Sequence, residues 1–372
     1  MANQSIGTPR FYLDFTQLAK AKGYVYSEDS TSSSENIIDG GDPKNVWNFD
    51  YTNPTNYTAD TSNYGSFTFK CPPFWSTLPA EWEEQSNRDW ARLMSTVNYG
   101  AILNHNLRTK YNGIYQGSLV QTALFYGNSE EKNYYDIHSG VNYGDPFGSS
   151  FLQYDGYTIF IFNDATYLMD ESNESPEKFS QFGMRIRSNQ EESILSSSLS
   201  FDIGAITFGK YIDMPNSPDL NVKKTVEYDG VNIKRSLGGS DYVQINHQGC
   251  PEWLVGEPWS LKKYANSGKI GRNGRRSWDL SFSYISNDDL FYDLSQNPVG
   301  TMQRNDNYID ATNEIQLIWD LSLGGALSFI FCPDKDADNP EFAVCRLDQD
   351  SLVSTQVAYQ TWNISMRVVE VW

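Results

Sequence analysis

The chain has 372 residues, with 28 Lys and Arg against 47 Asp and Glu, which gives a formal net charge of −19. This length allows one large domain or two ordinary ones, and so acidic a surface disfavours general binding to DNA or RNA. Aromatic residues make up 15% of the chain, which excludes a disordered protein and favours β architecture with sizeable cores.

Membrane and metal-binding classes are also disfavoured. No apolar run approaches the ~20 residues needed to cross a bilayer, and residues 1–9 lack the basic and apolar regions of a secretory signal. Cys71, Cys250, Cys332 and Cys345 are widely spaced and form no zinc pattern. We expect reduced thiols, with pairing of Cys332 and Cys345 across a hairpin as the alternative.

The first half of the chain predicts short strands separated by polar turns. Residues 11–20 indicate a strand running into a short helix, and residues 46–51 alternate like a strand or an ordered extended peptide. A helix is predicted over residues 80–94. Further strands are predicted over residues 66–70, 99–107, 120–126, 157–162, 181–187 and 199–212.

The second half begins after a proline-containing linker at residues 213–220. Strands are predicted over residues 221–228 and from Trp278, whose alternation places Leu280, Phe282 and Tyr284 on the same face. Ser286 predicts the N-cap of a short helix. A second helix is predicted over residues 313–321, and the last strands over residues 327–331, 342–347 and 362–372.

These elements predict a mainly β protein with two β-sandwich domains. We expect an N-terminal arm over residues 1–39, a first sandwich over residues 40–212, and a second sandwich with one or two short helices over residues 213–372.

Catalytic signatures are absent from the sequence: there is no GxSxG, HExxH or P-loop pattern. The chain has three histidines, and none lies in a known catalytic signature. A glycosidase pair of carboxylates is defined by spatial separation, so the sequence does not select one. We predict no enzymatic activity and no cofactor, and a polysaccharide-degrading enzyme is the weakest of the three functional hypotheses.

Two local patterns resemble ligand or metal sites. His105 follows an apolar run and is interpreted either as a loop histidine that contacts a sugar or metal, or as a structural histidine bonded to nearby backbone, which we favour. Residues 334–340 carry alternating carboxylates like a calcium loop, but Asn339 and Cys345 stand where that pattern requires Gly and Glu. We predict no metal site.

A purely basic segment interrupts the acidic chain. Residues 262–276 contain six cations and no acid, and the three glycines among them favour flexibility. The alternatives are a solvated loop and an arm that docks on the acidic surface of a neighbouring copy, as in a head-to-tail ring. The residues of this predicted subunit-contact arm are Lys262, Lys263, Lys269, Arg272, Arg275 and Arg276.

Several stretches resemble virion proteins of tailed bacteriophages. Residues 97–107, which include Asn104, His105 and Asn106, and residues 183–187 and 201–209 are similar to the galactose-binding-like jelly roll of such proteins. Matching features are a strand that ends in His-Asn-Leu and a closing Ile-Gly-x-Ile-x-x-Gly strand. The second half resembles minor tail and distal tail proteins of long-tailed phages over residues 208–220, 271–284, 327–334, 342–347 and 364–372.

The resemblance implies a structural protein of the virion tail, made in the host cytoplasm. Its tail-tube-like β domain would form a homo-oligomeric ring, commonly a hexamer, that joins the tail tube to the tip or baseplate. Its jelly roll would face outward and contact neighbouring tail proteins or host glycan. Here the jelly roll comes first and the ring-like part last, so both a distal tail protein and another ring-forming adaptor fit. The alternative is a carbohydrate-binding protein whose N-terminal sandwich stacks exposed aromatics on host glycan.

Overall fold

The fold is mainly β, with large antiparallel sheets and a few short helices. A computed structural model describes residues 7–24, 26–30, 38–60, 64–70, 93, 97–105, 120–127, 132–136, 157–161, 181–188, 198–228, 231–245, 274–291, 315–337 and 340–371. Apart from Leu93, the helix predicted over residues 80–94 lies outside these ranges. Within them, no helix combines the length and the apolar character needed to cross a membrane.

The elements are numbered here in chain order. The helices are α1 (Phe15–Lys22), α2 (Asn287–Leu290) and α3 (Gln316–Leu321), with a 3-10 helix at Pro43–Trp47. The first strands are β1 (Arg10–Asp14), β2 (Ser27–Ser30), β3 (Ile38–Gly40), β4 (Thr55–Asp60), β5 (Tyr64–Lys70), β6 (Tyr99–His105), β7 (Val120–Gly127), β8 (Lys132–Asp136), β9 (Tyr157–Ile161), β10 (Gln181–Ser188) and β11 (Ser198–Asp213). The later strands are β12 (Lys223–Glu227), β13 (Val231–Arg235), β14 (Asp241–Ile245), β15 (Arg275–Ser286), β16 (Phe329–Cys332), β17 (Ala343–Leu347), β18 (Ser354–Ala358) and β19 (Thr361–Glu370).

The chain divides into two compact units. The N-terminal unit is Asp14–Tyr211, and the C-terminal unit combines Met1–Leu13 with Ile212–Trp372. The boundary after Tyr211 therefore falls one residue before residue 212, the end predicted for the first sandwich. The other separates Leu13 from Asp14, so the first strand belongs with the C-terminal unit rather than with a separate arm over residues 1–39.

The C-terminal unit is built on an antiparallel sheet in the order β12, β15, β19, β17, β16, β1, with β18 paired to β19. β15 and β19 alternate buried and more exposed positions, as expected for strands that cover a core on one face. The buried face of β15 includes Trp278, Leu280 and Phe282, which confirms that part of the predicted face.

The prediction for Tyr284 was wrong. The pairing of β15 with β19 shifts its register between Phe282 and Ile285, and Tyr284 has a φ of 61°. This bulge inserts an extra residue, so Ile285 takes the buried position and Tyr284 points to solvent. A strict period of two cannot anticipate such an insertion.

The first strand completes the sheet of the C-terminal unit. Arg10–Leu13 of β1 pair antiparallel with β16, with Phe11 opposite Phe331, and the two rings lie 5.0 Å apart. The Arg10 guanidinium donates to both carboxylate oxygens of Asp213, at 2.5 and 2.9 Å. This ion pair and the aromatic contacts bind the start of the chain to residues more than two hundred positions later.

The N-terminal unit contains two antiparallel sheets. One has the order β2, β5, β10, β7, β8. In the other, β11 pairs with β4 and β6, which pair in turn with β3 and β9.

Aromatic side chains join the two sheets of this unit. Tyr57 of β4 makes an edge contact with Phe67 of β5 at 5.0 Å, and Phe182 of β10 packs on Phe208 of β11 at 5.6 Å. Trp47, almost fully buried, contacts Phe69 at 5.6 Å. The burial of these rings accounts for the high aromatic content of the chain.

Local capping chemistry sets two of the helices. Asp14 is the N-cap of α1 and accepts from the backbone N–H groups of Thr16 and Gln17, while Gly23 ends the helix with a φ of 69°. The strand-to-helix prediction for residues 11–20 is thereby confirmed. Ser286 caps α2 through the backbone N–H of Asp289, as predicted.

The interpretation of residues 46–51 as a strand was wrong, since none of these residues lies in a strand. Residues 43–47 form a 3-10 helix that begins at Pro43 and is capped by Asp42, which accepts from the backbone of Lys44 at 3.0 Å. Proline pre-sets the backbone angle of a first helical turn, and this local effect outweighs the alternating pattern.

Cys332 and Cys345 are both buried, and neither forms a disulfide. Cys345 lies opposite Phe329 in the pairing of β16 with β17, so Cys332 is displaced by three positions along the strand. Side chains with that offset do not meet across a ladder. Burial raises the pKa of Cys332 to about 12, which keeps the thiol protonated. Cys71 and Cys250 lie outside the described residues.

Candidate assembly surface

The predicted basic arm is described only at its end. Lys262, Lys263, Lys269 and Arg272 lie outside the described residues. Arg275 and Arg276 are the first two residues of β15, so these two cations belong to the central sheet of the C-terminal unit.

Arg276 is engaged within its own chain. Its side chain is 2% exposed, and its Nη2 and Nε atoms donate to Oε1 and Oε2 of Glu370 at 2.8 and 3.2 Å. The guanidinium carbon lies 5.0 Å from the centre of the Trp278 ring. A buried cation requires such pairing, because an isolated charge pays a large desolvation penalty. Arg276 therefore stabilises the sheet rather than an exposed arm.

Glu341 and Lys224 extend the ion pair of Arg276 and Glu370 into a cluster of four charges that reaches towards solvent. Glu341 accepts from Arg276 and also binds the ammonium of Lys224 at 2.9 Å. The Lys224 ammonium lies 5.7 Å from the Trp278 ring. The sequence signal for this cluster was the position of Arg276 two residues before Trp278, on the same face of β15.

The outward face of the sheet carries exposed charges that alternate in sign. Arg367 contacts Asp279 and Asp348, each at 3.6 Å, and donates to Glu227. Arg346 adds a contact to Asp348 at 3.6 Å. Exposed pairs of this kind contribute little stability individually, but they keep this face hydrated.

A two-stranded hairpin formed by β13 and β14 differs from the rest of the unit. Ile233 lies opposite Val243, and Lys234 opposite Tyr242, so apolar side chains occupy both faces. Ile233 and Tyr242 are 63% and 67% exposed, and Leu237 lies exposed in the turn. An isolated hairpin is marginally stable in water, so a surface of this composition fits a partner. No strand was predicted over these residues from the sequence.

A second exposed apolar group lies around β18 and the bulge of β15. Its members are Val353 before β18, Val357 within it, Tyr359 in the turn to β19, and Tyr284 at the bulge. Tyr359 is 86% exposed. We refer to these four residues as the β18 patch, and to Ile233, Leu237, Tyr242 and Val243 as the hairpin patch.

The distribution of exposed apolar residues is uneven between the units. Every large hydrophobic side chain that is exposed among the described residues lies in the C-terminal unit. Leu220, Val226 and Tyr228 are also exposed there but belong to neither patch. Contiguous exposed apolar residues are typical of interaction surfaces. Among the described residues, side chains of this kind therefore lie in the C-terminal unit.

Asn104 of the predicted jelly-roll motif occupies a constrained position in the N-terminal unit. It has a φ of 51°, and its Nδ2 donates to the carbonyl of Tyr51 at 2.8 Å. A Cβ on Gly204, in the neighbouring strand β11, would lie 2.9 Å from the Asn104 Cβ. Asn104 of β6 and Gly204 of β11 thus lie in close contact between two adjacent strands. Asn106 lies outside the described residues.

His105 is a core residue of the same strand. It is 3% exposed, and burial lowers its pKa to about 3, although a hydrogen bond with the backbone of Tyr157 acts in the opposite direction. The neutral, enclosed ring fits the structural interpretation and is not presented to a ligand in solvent.

The residues with alternating carboxylates adopt a turn. Asp334 accepts from the backbone N–H of Asp336 at 3.0 Å, and the Lys335 ammonium binds Asp336 at 2.9 Å. Within the described ranges, no group of three or more His, Cys, Asp or Glu side chains is arranged to hold a metal ion.

Comparisons with known proteins give no assignment. No protein-family model matches the chain, and no curated protein matches it.

Proposed function

We propose that the chain is a structural protein of a phage tail tip that assembles into a closed ring through its C-terminal unit. The observation that carries this proposal is that every exposed large apolar side chain among the described residues lies on that unit, most of them in two separate groups, the hairpin patch and the β18 patch. Two different patches suit a head-to-tail contact, in which one patch of each copy binds the other patch of the next. Such contacts close into a ring when the rotation between copies permits it.

The strand edges of this unit support the same proposal. The hairpin strands pair only with each other among the described strands, and β18 pairs only with β19. Unpaired edges template pairing with another chain, and the apolar side chains beside them add buried area. The ring would be a homo-oligomer, with a hexamer as the copy number that the resemblance favours.

The remaining cations of the predicted arm supply an electrostatic part of the proposal. Lys262, Lys263, Lys269 and Arg272 would dock on the acidic surface of a neighbouring copy, since the chain as a whole carries a charge of −19. Arg276 has no part in this contact because it is buried. Assembly that depends on exposed charges weakens with salt.

The N-terminal unit would be the appended jelly roll of the tail-tip family and would face outward. Its two antiparallel sheets packed through aromatic side chains are compatible with a sandwich. Contact of this unit with host glycan stays a prediction from the resemblance.

Single substitutions in each patch test the proposed ring. Ile233→Lys alters the hairpin patch and Val357→Lys alters the β18 patch, while Lys44→Glu, exposed in the N-terminal unit, is the control. Native mass spectrometry and electron micrographs of the full chain should show rings for the wild type and Lys44→Glu and monomers for each patch variant.

Mixing the two patch variants distinguishes the type of contact. Each variant retains the patch that the other has lost, so a one-to-one mixture should form heterodimers that cannot grow further. A wild-type chain that stays monomeric at high concentration would overturn the proposal. Rings that survive both substitutions would show that these patches are not the interface.

A further inference from the structure

The turn between β13 and β14 holds Leu237 at the tip of the hairpin. The Gly239 backbone N–H donates to the carbonyl of Ser236 at 2.9 Å, and Gly239 has a φ of 85°, as in a tight turn that ends in a left-handed glycine. Leu237 follows Ser236 in this turn, and its side chain is fully exposed. The hairpin patch therefore ends in an aliphatic side chain whose apolar surface is available to a partner.

Polar contacts fix the geometry of this tip. The Ser236 backbone N–H donates to the Ser240 carbonyl at 2.8 Å, and Ser236 Oγ accepts from the Ser240 backbone N–H at 3.0 Å. Arg235 and Asp241, opposite each other in the ladder, form an exposed ion pair with Nε 2.8 Å from Oδ1. Lys234 precedes them and is also exposed, so the tip carries two cations and one acid. A tip ordered in this way loses little entropy on binding.

A shallow depression elsewhere on the C-terminal unit is complementary to the tip. It has a volume of about 320 Å³ and lies between α3, the turn that follows it and the segment after β17. Phe291 and Leu352, both half-buried, give it apolar walls, while Asp320 and Asp350 add exposed carboxylates. None of the described residues that line it is a cation. An open depression of this kind does not enclose a small ligand, but it accommodates a side chain presented by another protein surface.

The depression adjoins the β18 patch and shares its acidic surroundings. Leu352 is followed directly by Val353 of that patch, and Phe291 makes an edge-on ring contact at 5.5 Å with β19, the strand that pairs with β18. The two stretches that carry the patch, residues 284–291 and 348–361, contain four acids and no Lys or Arg. The tip is therefore positive in sum and the surface around the depression is negative, so their charges are complementary.

We propose that Leu237 of one copy inserts into this depression on the next copy. The contact rests on the ring proposed above, for which it supplies the anchor. An aliphatic side chain seated in a pocket is a suitable centre for a specific interface, and here Lys234 would face Asp320 and Asp350 at its rim. Two hairpins that paired tip to tip would instead bring the cations of both copies together, so the depression is the better-matched partner.

Cysteine cross-linking between two full-length variants tests this contact. One chain carries Leu237→Cys and the other Leu352→Cys, and the mixture is oxidised under mild conditions. It should give disulfide-linked heterodimers, whereas each variant alone should stay at the background that the native thiols give in the wild type. The matched control replaces Leu237→Cys by Leu220→Cys, because Leu220 is also exposed in the same unit but lies in neither patch. That mixture should stay at background as well.

Sedimentation of the full chain at a series of concentrations measures how much the contact contributes to assembly. Leu237→Ser should raise the concentration needed for half-assembly by roughly tenfold or more, while Leu220→Ser should leave it unchanged. Lys234→Glu and Asp350→Lys should each weaken assembly, since each places like charges opposite each other. The chain that carries both exchanges should regain most of the loss.

The remaining outcomes distinguish the contact from the ring. Rings that tolerate Leu237→Ser and give no cross-link between positions 237 and 352 would overturn the contact and leave the ring standing. The cross-link without closed rings would support the contact and overturn the ring. A link formed by Leu237→Cys with itself would show that hairpins pair tip to tip, and a monomeric chain that gives no link would overturn both proposals.

Discussion

Arg276 and Glu370 form a bidentate ion pair in which both side chains are 2% exposed or less. The backbone N–H of Arg276 also donates to Glu370 Oε2, at 2.9 Å. One carboxylate therefore fixes both the side chain and the backbone at the start of β15, and joins β15 to the last strand of the chain.

Removing one partner of this pair should be strongly destabilising. Arg276→Met leaves the Glu370 carboxylate buried without its cation, and we expect a loss of roughly 3–5 kcal/mol in the free energy of unfolding. The double variant Arg276→Met, Glu370→Gln should recover most of that loss, since no unpaired charge remains and the glutamine oxygen still accepts from the backbone N–H of residue 276. Urea denaturation followed by fluorescence measures both effects.

Arg346→Met serves as the control for the Arg276 substitution. Arg346 lies on the same sheet, but its side chain is 50% exposed and its contact to Asp348 is 3.6 Å long. The change should stay within about 0.5 kcal/mol. An equally small loss in Arg276→Met would contradict the assigned role of the buried pair.

The sequence was informative where local chemistry determines the structure. The cap at Ser286 and the passage from β1 to α1 follow from a few adjacent residues, and both were predicted. The pairing of β1 with β16 was not, because a partner three hundred residues away leaves no local pattern. The hairpin of β13 and β14 does carry a local signal, since Gly238 and Gly239 stand between two runs in which apolar and polar residues alternate, Val231 and Ile233 in one and Val243 and Ile245 in the other.

Charge patterns were less reliable than apolar ones. The run of six cations predicted one exposed arm, yet it includes Arg276 in the core. Period-two alternation with Trp278 would have placed Arg276 on the buried face of β15, and the compensating Glu370 lies too far along the chain to be recognised.

His105 should make the stability of the protein fall in acid. Its pKa is about 3 in the folded protein against an ordinary value of 6.5, so between these values the unfolded chain binds the proton and the folded one does not. Stability is therefore complete above the ordinary pKa and declines as the pH falls towards about 3, by up to about 5 kcal/mol for this group.

His105→Gln isolates the contribution of this histidine. The free energy of unfolding of the wild type should drop more steeply between about pH 7 and pH 4 than that of the variant, because glutamine does not titrate. Carboxylates elsewhere contribute equally to both proteins, so the difference between the curves reports His105. Parallel curves would show that the ring is protonated without cost and is not enclosed.

Asp14 should make the stability of the protein fall as the pH rises, which is the opposite of the effect of His105. Burial raises its pKa above 3.8, so the folded state holds the proton more tightly and stability declines as the pH rises through the window above that value. Asp14→Asn removes the buried charge and keeps one of the two side-chain oxygens that accept from the backbone N–H groups of Thr16 and Gln17. At pH 7 it should be at least as stable as the wild type, with a flatter pH dependence.

Asp14→Ala separates capping from ionisation. It removes the acceptor as well as the charge, so relative to Asp14→Asn it should lose about 1 kcal/mol at pH 7. The pair Asp42→Asn and Asp42→Ala repeats the comparison at the exposed cap of the 3-10 helix, where no buried charge is involved. If Asp14→Asn proves as damaging as Asp14→Ala, the ionised carboxylate itself is required.

The close approach of Asn104 and Gly204 yields a steric prediction. In Gly204→Ala the new Cβ would lie 2.9 Å from the Asn104 Cβ and 3.0 Å from the Tyr51 carbonyl, so the strands must separate, at a cost of about 1–3 kcal/mol. Gly238→Ala is the control, because its nearest neighbour is 3.9 Å away and a glycine-to-alanine change without strain is neutral or slightly stabilising. Adding Asn104→Gly to Gly204→Ala removes one of the three close contacts, so part of the melting temperature lost in Gly204→Ala should return. Gly204→Ala that melts with the wild type would mean that β6 and β11 are farther apart than described.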